Sequence, residues 1–176
     1  STLINKLLGT YRQVVDDTPG TTRDSIDVPF SAGGADYLLI DTAGIRRKAR
    51  IKDFLERITV MRAIESIERC DVAVLLLDAA EGITEQEAKI AGVAADRGKP
   101  LVVCVNKWDK EGRGEKSAEE IKEELERSLY FSAYSQILFI SGKTGRGVGE
   151  LLESINLAFD NSLRKIPTAE LNKWLA

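Results

Sequence analysis

Pro100-Leu-Val-Val-Cys-Val105-Asn106-Lys107-Trp108-Asp109 is the stretch that decides the fold. Its apolar run is short and bounded by a proline and a polar turn, which suits a strand buried on both faces. Open α/β sheets bind ligands at the carboxyl ends of their parallel strands. Asn-Lys-x-Asp at such an end sets an amide, an ammonium and a carboxylate on that edge. The carboxylate of Asp109 can accept from both the N1–H and the exocyclic amine of guanine, and adenine offers no such pair of donors. Lys107 can lay its alkyl stem along a base face, and Asn106 can tie this loop to a phosphate-binding loop. The same four residues also fit a polar turn after a buried strand, so the rest of the chain must supply the other parts.

Working outward, Asp41-Thr42-Ala43-Gly44 follows the apolar run Tyr37-Leu-Leu-Ile40. An Asp at that edge can hold a water of a Mg²⁺ shell, and Gly44 lets its backbone N–H come close to a γ-phosphate. An Asp-Thr turn with a helix-capping Thr is the plainer reading. Upstream, Thr18-Pro19-Gly20-Thr21-Thr22-Arg23-Asp24 carries paired hydroxyls, one of which can complete a Mg²⁺ shell when a γ-phosphate is present. It also reads as a Pro-Gly turn with Thr caps. Downstream, Ser141-Gly142-Lys143 follows Ile137-Leu-Phe-Ile140, and backbone N–H groups in so small a loop can donate to guanine O6. Three sheet-edge loops and a Thr-rich segment occur in the sequential order of a GTPase.

Four segments then resemble a known family: Thr18-Pro-Gly-Thr-Thr-Arg-Asp24, Asp41-Thr-Ala-Gly-Ile-Arg-Arg-Lys48, Asn106-Lys-Trp-Asp109 and Leu171-Asn-Lys-Trp-Leu175. Over nearly its whole length the chain resembles Era-like bacterial GTPases, and within them the branch with two G domains that acts in ribosome assembly. The Gly-Thr-Thr-Arg-Asp segment is shared with tRNA-modifying GTPases of the MnmE type. The stretch Arg46–Lys52 and the tail point to the two-domain branch.

The resemblance implies an α/β fold, P-loop NTPase-like and doubly wound, with a mostly parallel sheet and helices on both faces. It implies a second G domain over 1–163, then a linker and the first residues of a KH-like domain over 164–176. It implies a GTP-hydrolysing switch in large ribosomal subunit assembly, cytoplasmic and not membrane-bound. The partners would be the large subunit and its rRNA, with the KH-like and first G domains as neighbours. The implied GTP-binding residues are Ser1, Thr2, Thr21, Thr22, Asp41, Gly44, Asn106, Lys107, Asp109, Ser141, Gly142 and Lys143. Mg²⁺ falls to Ser1, Thr22 (or Thr21) and, through water, Asp41; catalysis falls to Thr22, Asp41 and Gly44. Ile45 stands where many relatives carry a water-orienting Gln, and in this branch K⁺ near the phosphates is implied to supply the missing positive charge. Arg23 is an alternative cation, or a partner in a surface salt bridge. A non-hydrolysing interaction module and a tRNA-modifying GTPase are the other readings.

Tight GTP binding by a P-loop needs Gly-x-x-x-x-Gly-Lys before the Ser/Thr. Ser1-Thr2-Leu3-Ile4-Asn5 opens the chain just after that point, so the glycines, the Lys and the strand feeding them are expected to be missing. A fragment cut at both ends is expected, lacking a strand from the middle of its sheet and binding GTP weakly. Ser1 equally fits the N-cap of a helix Thr2–Leu8 that stops at Gly9.

Composition fits this frame. With 176 residues and a net charge of −3, the chain is one ordinary domain with no overall pull on nucleic acid. The exception is the basic run Arg46–Lys52, which reads as a solvated face or as a contact to rRNA or a neighbouring domain. With no His, neither a His-based catalyst nor a His metal site exists. Cys104 lies inside an apolar run and Cys70 abuts another, which suits small buried hydrophobes in a reducing compartment. No apolar run is long enough to span a bilayer. Strands are expected at 25–30 and 36–41 as a hairpin around Gly33-Gly34, and at 71–78, 100–105 and 136–140. Helices are expected at 53–69, with an apolar stripe through Leu55, Ile58, Met61, Ile64 and Ile67, at 148–163, and from the capping boxes Thr84–Glu87 and Ser117–Glu120 to about Asp96 and Phe131. Residues 164–168 read as a linker and 169–176 as a further helix.

Overall fold

The computed structural model describes residues 2–11, 27–40, 54–109 and 116–175. In chain order the elements are α1 (Thr2–Tyr11), β1 (Val28–Ala32), β2 (Ala35–Leu39), α2 (Phe54–Arg69), β3 (Ala73–Asp78), α3 (Glu85–Asp96), β4 (Leu101–Asn106), α4 (Ala118–Ser128), β5 (Gln136–Phe139), α5 (Val148–Ser162) and α6 (Thr168–Leu175). A single 3₁₀ turn, Tyr130–Ser132, links α4 to β5.

Strands β3, β4 and β5 form a parallel sheet with β4 in the centre, in register Leu76↔Cys104 and Cys104↔Leu138. Parallel neighbours need crossovers, and α3 and α4 supply them. Successive side chains of β4 point to opposite faces, and both faces are packed. Leu101, Val103 and Val105 meet Ala91 of α3 and Ile121 and Leu125 of α4. Val102 and Cys104 meet Leu3 and Leu7 of α1 and Val148, Leu151 and Leu152 of α5. This is the doubly wound arrangement expected from strands alternating with helices.

The hairpin β1–β2 is a separate antiparallel sheet, turned at Gly33 (φ 60°) and Gly34 (φ 83°). Two positive φ values in a two-residue loop define the turn that matches strand twist, and glycine supplies both without strain. Phe30 stacks on Tyr37 at 4.9 Å and packs with Ala32 against the α1 side of the core. The Tyr37 hydroxyl donates to Asn156 Oδ1 of α5 at 2.9 Å.

Several boundaries differ from the sequence expectation. Gly9 lies inside α1, because a glycine without positive φ costs a helix about 1 kcal/mol but does not end it. The fourth helix stops at Ser128, where the chain tightens into the 3₁₀ turn, rather than at Phe131. The hairpin strands are in register as 28–32 and 35–39, set by the two-glycine turn. On α2, Ile67 is buried but Met61 is exposed, so the stripe is covered only towards its C-terminal end among the described residues. Both capping boxes form, with Thr84 Oγ1 accepting from Glu87 N and Ser117 Oγ from Glu120 N. The expected helix after the linker is present as α6, with no buried residue.

Candidate guanine-nucleotide site

The carboxyl ends of β4 and β5 carry two loops that lock together. Past Asn106 the chain turns sharply, because Lys107 adopts φ 65°, the only non-glycine positive φ among the described residues. That backbone costs an L-residue roughly 1–2 kcal/mol, so its surroundings must enforce it. They do so on both sides. The Trp108 N–H donates to the Ile140 carbonyl at 3.1 Å, and the Ile140 N–H donates to Val105 O at 2.9 Å. The Trp108 ring is buried and lies 4.4 Å from the Phe139 ring. An aromatic in the unspecified position of Asn-Lys-x-Asp thus anchors the loop in the core.

The Asn106 side chain crosses to the second loop, where Oδ1 accepts from the Gly142 N–H at 2.9 Å. Ser141 is fully buried. Its hydroxyl accepts from the Thr144 N–H at 3.1 Å and lies near enough to the Asp109 carboxylate to favour its charged form. That hydroxyl, a backbone N–H and nearby Lys143 hold the exposed Asp109 carboxyl below the usual carboxylate range. Gly145 N–H donates to Ser141 O at 2.8 Å, and Ser141 N–H to Arg146 O at 2.9 Å, closing the loop on itself. Gly142 has a steric reason to be glycine, since a Cβ there would sit 3.0 Å from the Cα and N of Leu3. The start of α1, with exposed Thr2, is therefore packed directly against the Ser141 loop.

Asn106, Asp109, Ser141, Gly142 and Lys143 are thus gathered at one sheet edge beside Thr2. Lys107 belongs to the same loop but directs its ammonium to Asp78 at the end of β3. Asp78 was not singled out from sequence, although the apolar run 73–77 ending in Asp mirrors Tyr37–Asp41. Neither was the bond from Asn106 to Gly142. Ser1, Thr21, Thr22, Arg23, Asp41, Gly44, Ile45 and the basic run Arg46–Lys52 lie outside the described residues, and with them every residue expected to meet Mg²⁺.

The 50S ribosome-binding GTPase family model matches residues 1–107, well over half of the chain. The chain belongs to the 50S ribosome-binding GTPase family. Curated relatives agree over nearly all of it. GTPase Der of Lachnospira eligens is 44% identical over 99% of this chain and 40% of that protein. GTPase Der of Caldicellulosiruptor saccharolyticus is 47% identical over 100% of this chain and 40% of that protein. GTPase Der of Legionella pneumophila is 47% identical over 99% of this chain and 37% of its own. The chain therefore spans about two fifths of the length of such relatives. Among solved structures, Era in complex with MgGDPNP and part of 16S ribosomal RNA superposes with a TM-score of 0.66 at 28% identity, covering 95% of this chain and 54% of that one. A probable GTP-binding protein, engB, superposes with a TM-score of 0.62 over 92% of both chains, and at 21% identity it speaks for the fold alone. The fold is that of a P-loop GTPase domain, as the order of loops implied.

Cysteine chemistry plays no visible part in this edge. Cys104 is buried in β4 and its thiol is pushed up to about 12 by burial. Cys70 is half-buried, and its thiol donates to Ile67 O at 3.3 Å. No helix among the described residues is long and apolar enough to cross a membrane.

Proposed function

We propose that this chain is a GTP-binding and GTP-hydrolysing switch domain of a protein that acts, in the cytoplasm, in assembly of the large ribosomal subunit. The observation that carries the base assignment is the coupling of the two loops across the sheet edge. Asn106 to Gly142 fixes the two loops, and Ser141 beside Asp109 favours the charged form of the exposed carboxylate at their rim. Ionised Asp109 presents acceptors only, which matches the N1–H and amino donors of guanine. The backbone N–H groups of the Ser141–Lys143 loop would meet O6, and the Lys107 stem would lie along the base. The 50S ribosome-binding GTPase family supplies the ribosomal context, and the GTPase Der relatives favour neither a non-hydrolysing module nor a tRNA-modifying role.

For the phosphates, Ser1, Thr22 (or Thr21) and Asp41 are proposed to hold Mg²⁺, which supplies charge neutralisation as the γ-phosphate is displaced. Gly44 would approach the γ-phosphate through its N–H. Ile45 has no group to orient water, so K⁺ is proposed as the extra cation, with Arg23 as the local alternative. Residues 1–163 are assigned to the G domain and 164–176 to the approach to a KH-like domain. A strand ahead of Ser1, carrying the phosphate loop, would join the hairpin sheet to the outer edge of β3. The full protein would reach the large subunit and its rRNA together with its neighbouring domains.

The experiment is competition of GDP and XDP against a labelled nucleotide, in the full-length protein and its Asp109→Asn variant. Asn offers an N–H donor to the carbonyl that xanthine has in place of the amine. Leaving a buried polar group unpaired costs ~1–3 kcal/mol, so GDP should weaken and XDP strengthen by roughly tenfold each. An unchanged preference for GDP would overturn the base assignment. Phosphate release in KCl against NaCl at equal ionic strength is the matching check on K⁺, which fails if the rates coincide.

A further inference from the structure

The end of β3 holds a second built arrangement that no site residue named so far explains. Asp78 closes the strand and is wrapped by its own turn. Its Oδ1 accepts from the Ala80 N–H at 3.0 Å, and its carbonyl accepts from the N–H groups of Gly82 at 2.9 Å and Glu81 at 3.1 Å. The opposite oxygen, Oδ2, takes the Lys107 ammonium. The side chain of Asp78 is 16% exposed and that of Lys107 50%, so the carboxylate is the fixed partner and the lysine the one being held. The register Asp78↔Asn106, together with the Ala79 N–H to Asn106 O bond of 3.0 Å, keeps the two strand ends from sliding.

We propose that Asp78 is a positioning residue of the guanine site, which by holding the Lys107 ammonium sets the path of the lysine stem across the sheet edge. The proposal rests on the guanine reading given above. Lysine carries its charge on a flexible four-carbon stem that samples many rotamers when only one end is fixed. Here both ends are fixed, the backbone by its left-handed turn and the ammonium by Asp78. A half-exposed ion pair adds little to stability, so the value of this one lies in the geometry it imposes. The bond to Asp78 also raises the affinity of Lys107 for its proton, with Glu81 adding to the same field. The lysine thus keeps its charge at neutral pH.

Asn at position 78 keeps the acceptor for Ala80 and removes only the charge, so it separates the turn from the tether. The test is displacement of fluorescent GDP from the full-length protein and its variants Asp78→Asn, Asp78→Glu, Lys107→Met and Asp78→Asn/Lys107→Met. Asp78→Asn should weaken GDP by about threefold to tenfold, the scale of one charge-assisted hydrogen bond. Added to Lys107→Met, it should cost nothing further, and Asp78→Glu, with its charge kept, should recover most of the loss. Additive losses would mean that Asp78 serves only its turn, and Glu faring no better than Asn would mean that charge is not what matters; either overturns the proposal. A wild-type protein that binds ADP as tightly as GDP would instead overturn the guanine reading itself.

Discussion

Strands β3 and β4 are parallel neighbours and read alike as sequence, Ala-Val-Leu-Leu-Leu-Asp against Leu-Val-Val-Cys-Val-Asn. Every apolar residue of β4 is buried, whereas β3 alternates. Leu75 and Leu77 are 8% and 2% exposed, but Val74 and Leu76 are 40% and 41% exposed. The exposed pair points to the face on which Val102 and Cys104 of β4 are covered by α1 and α5. A continuous apolar run is the signature of a strand covered on both faces, and β3 has that signature with one face covered by little among the described residues. Composition records the burial that a strand is built for, and the sheet position decides how much of it is met. The outer edge of β3 is accordingly where a further element of the sheet is proposed.

Truncations on the two faces of β3 sharpen this most. Leu77→Ala in the 176-residue chain should cost about 2–5 kcal/mol, since it opens a cavity under α3 and α4. Leu76→Ala should cost about 1 kcal/mol or less in the same chain, because much of that side chain already meets water. In a longer protein with a strand at this edge, the Leu76 penalty should climb towards that of Leu77. Urea unfolding of both variants in both lengths reads the difference, and equal costs in the 176-residue chain would remove the asymmetry.

A smaller effect is expected at the end of β5, where the sheet passes its order to the site. Ser141→Ala takes the hydroxyl from Asp109 and leaves the Thr144 N–H without its acceptor. Weakening of GDP by about threefold to tenfold is expected in the full-length protein, the scale of one hydrogen bond. The pH dependence has a definite sign. Asp109 is held below the usual carboxylate range, so its ionised form, and with it the proposed guanine binding, persists until pH falls through that lowered range. Without Ser141 the carboxyl moves back up, and the acid loss of GDP binding should begin at higher pH. Binding curves between pH 3 and 6 that superimpose for the two proteins would remove Ser141 from this role.

The smallest effect concerns the helix that covers the buried face of β3. Thr84→Ala removes half of the capping box on α3 and should cost about 1 kcal/mol. The cost should appear in the melting temperature with GDP selectivity unchanged, which separates support of the sheet from support of the site.

Much of this architecture was legible because its signals are local. Thr84–Glu87 and Ser117–Glu120 each mark a helix start within four residues, and Gly33-Gly34 marks a hairpin turn. Asn106 and Ser141 were legible as candidates because each directly follows an apolar run, and Asp109 by its spacing from Asn106. The rest depends on contacts that no local pattern encodes. The Asn106–Gly142 bond joins residues 36 apart, and the Asp78–Lys107 pair joins residues 29 apart, so only the sheet register brings them together. Gly9 misled because a glycine is a helix stop only where the chain needs a positive φ. Met61 sits on a stripe with the right period, but period fixes which face a residue shares and not whether that face is covered.

The burial of Trp108 has an optical consequence. The chain has two tryptophans, Trp108 at 8% exposure under the guanine loop and Trp174 at 86% exposure on α6. A shielded indole emits to the blue and escapes aqueous quenchers, while an exposed one emits to the red and is quenched readily. With iodide present, the remaining fluorescence comes from the ring packed on Phe139, and changes in it report strain or release at the base of the loop. Replacing Trp174 with Phe would leave the 176-residue chain with a single tryptophan, set at the base of the candidate guanine loop.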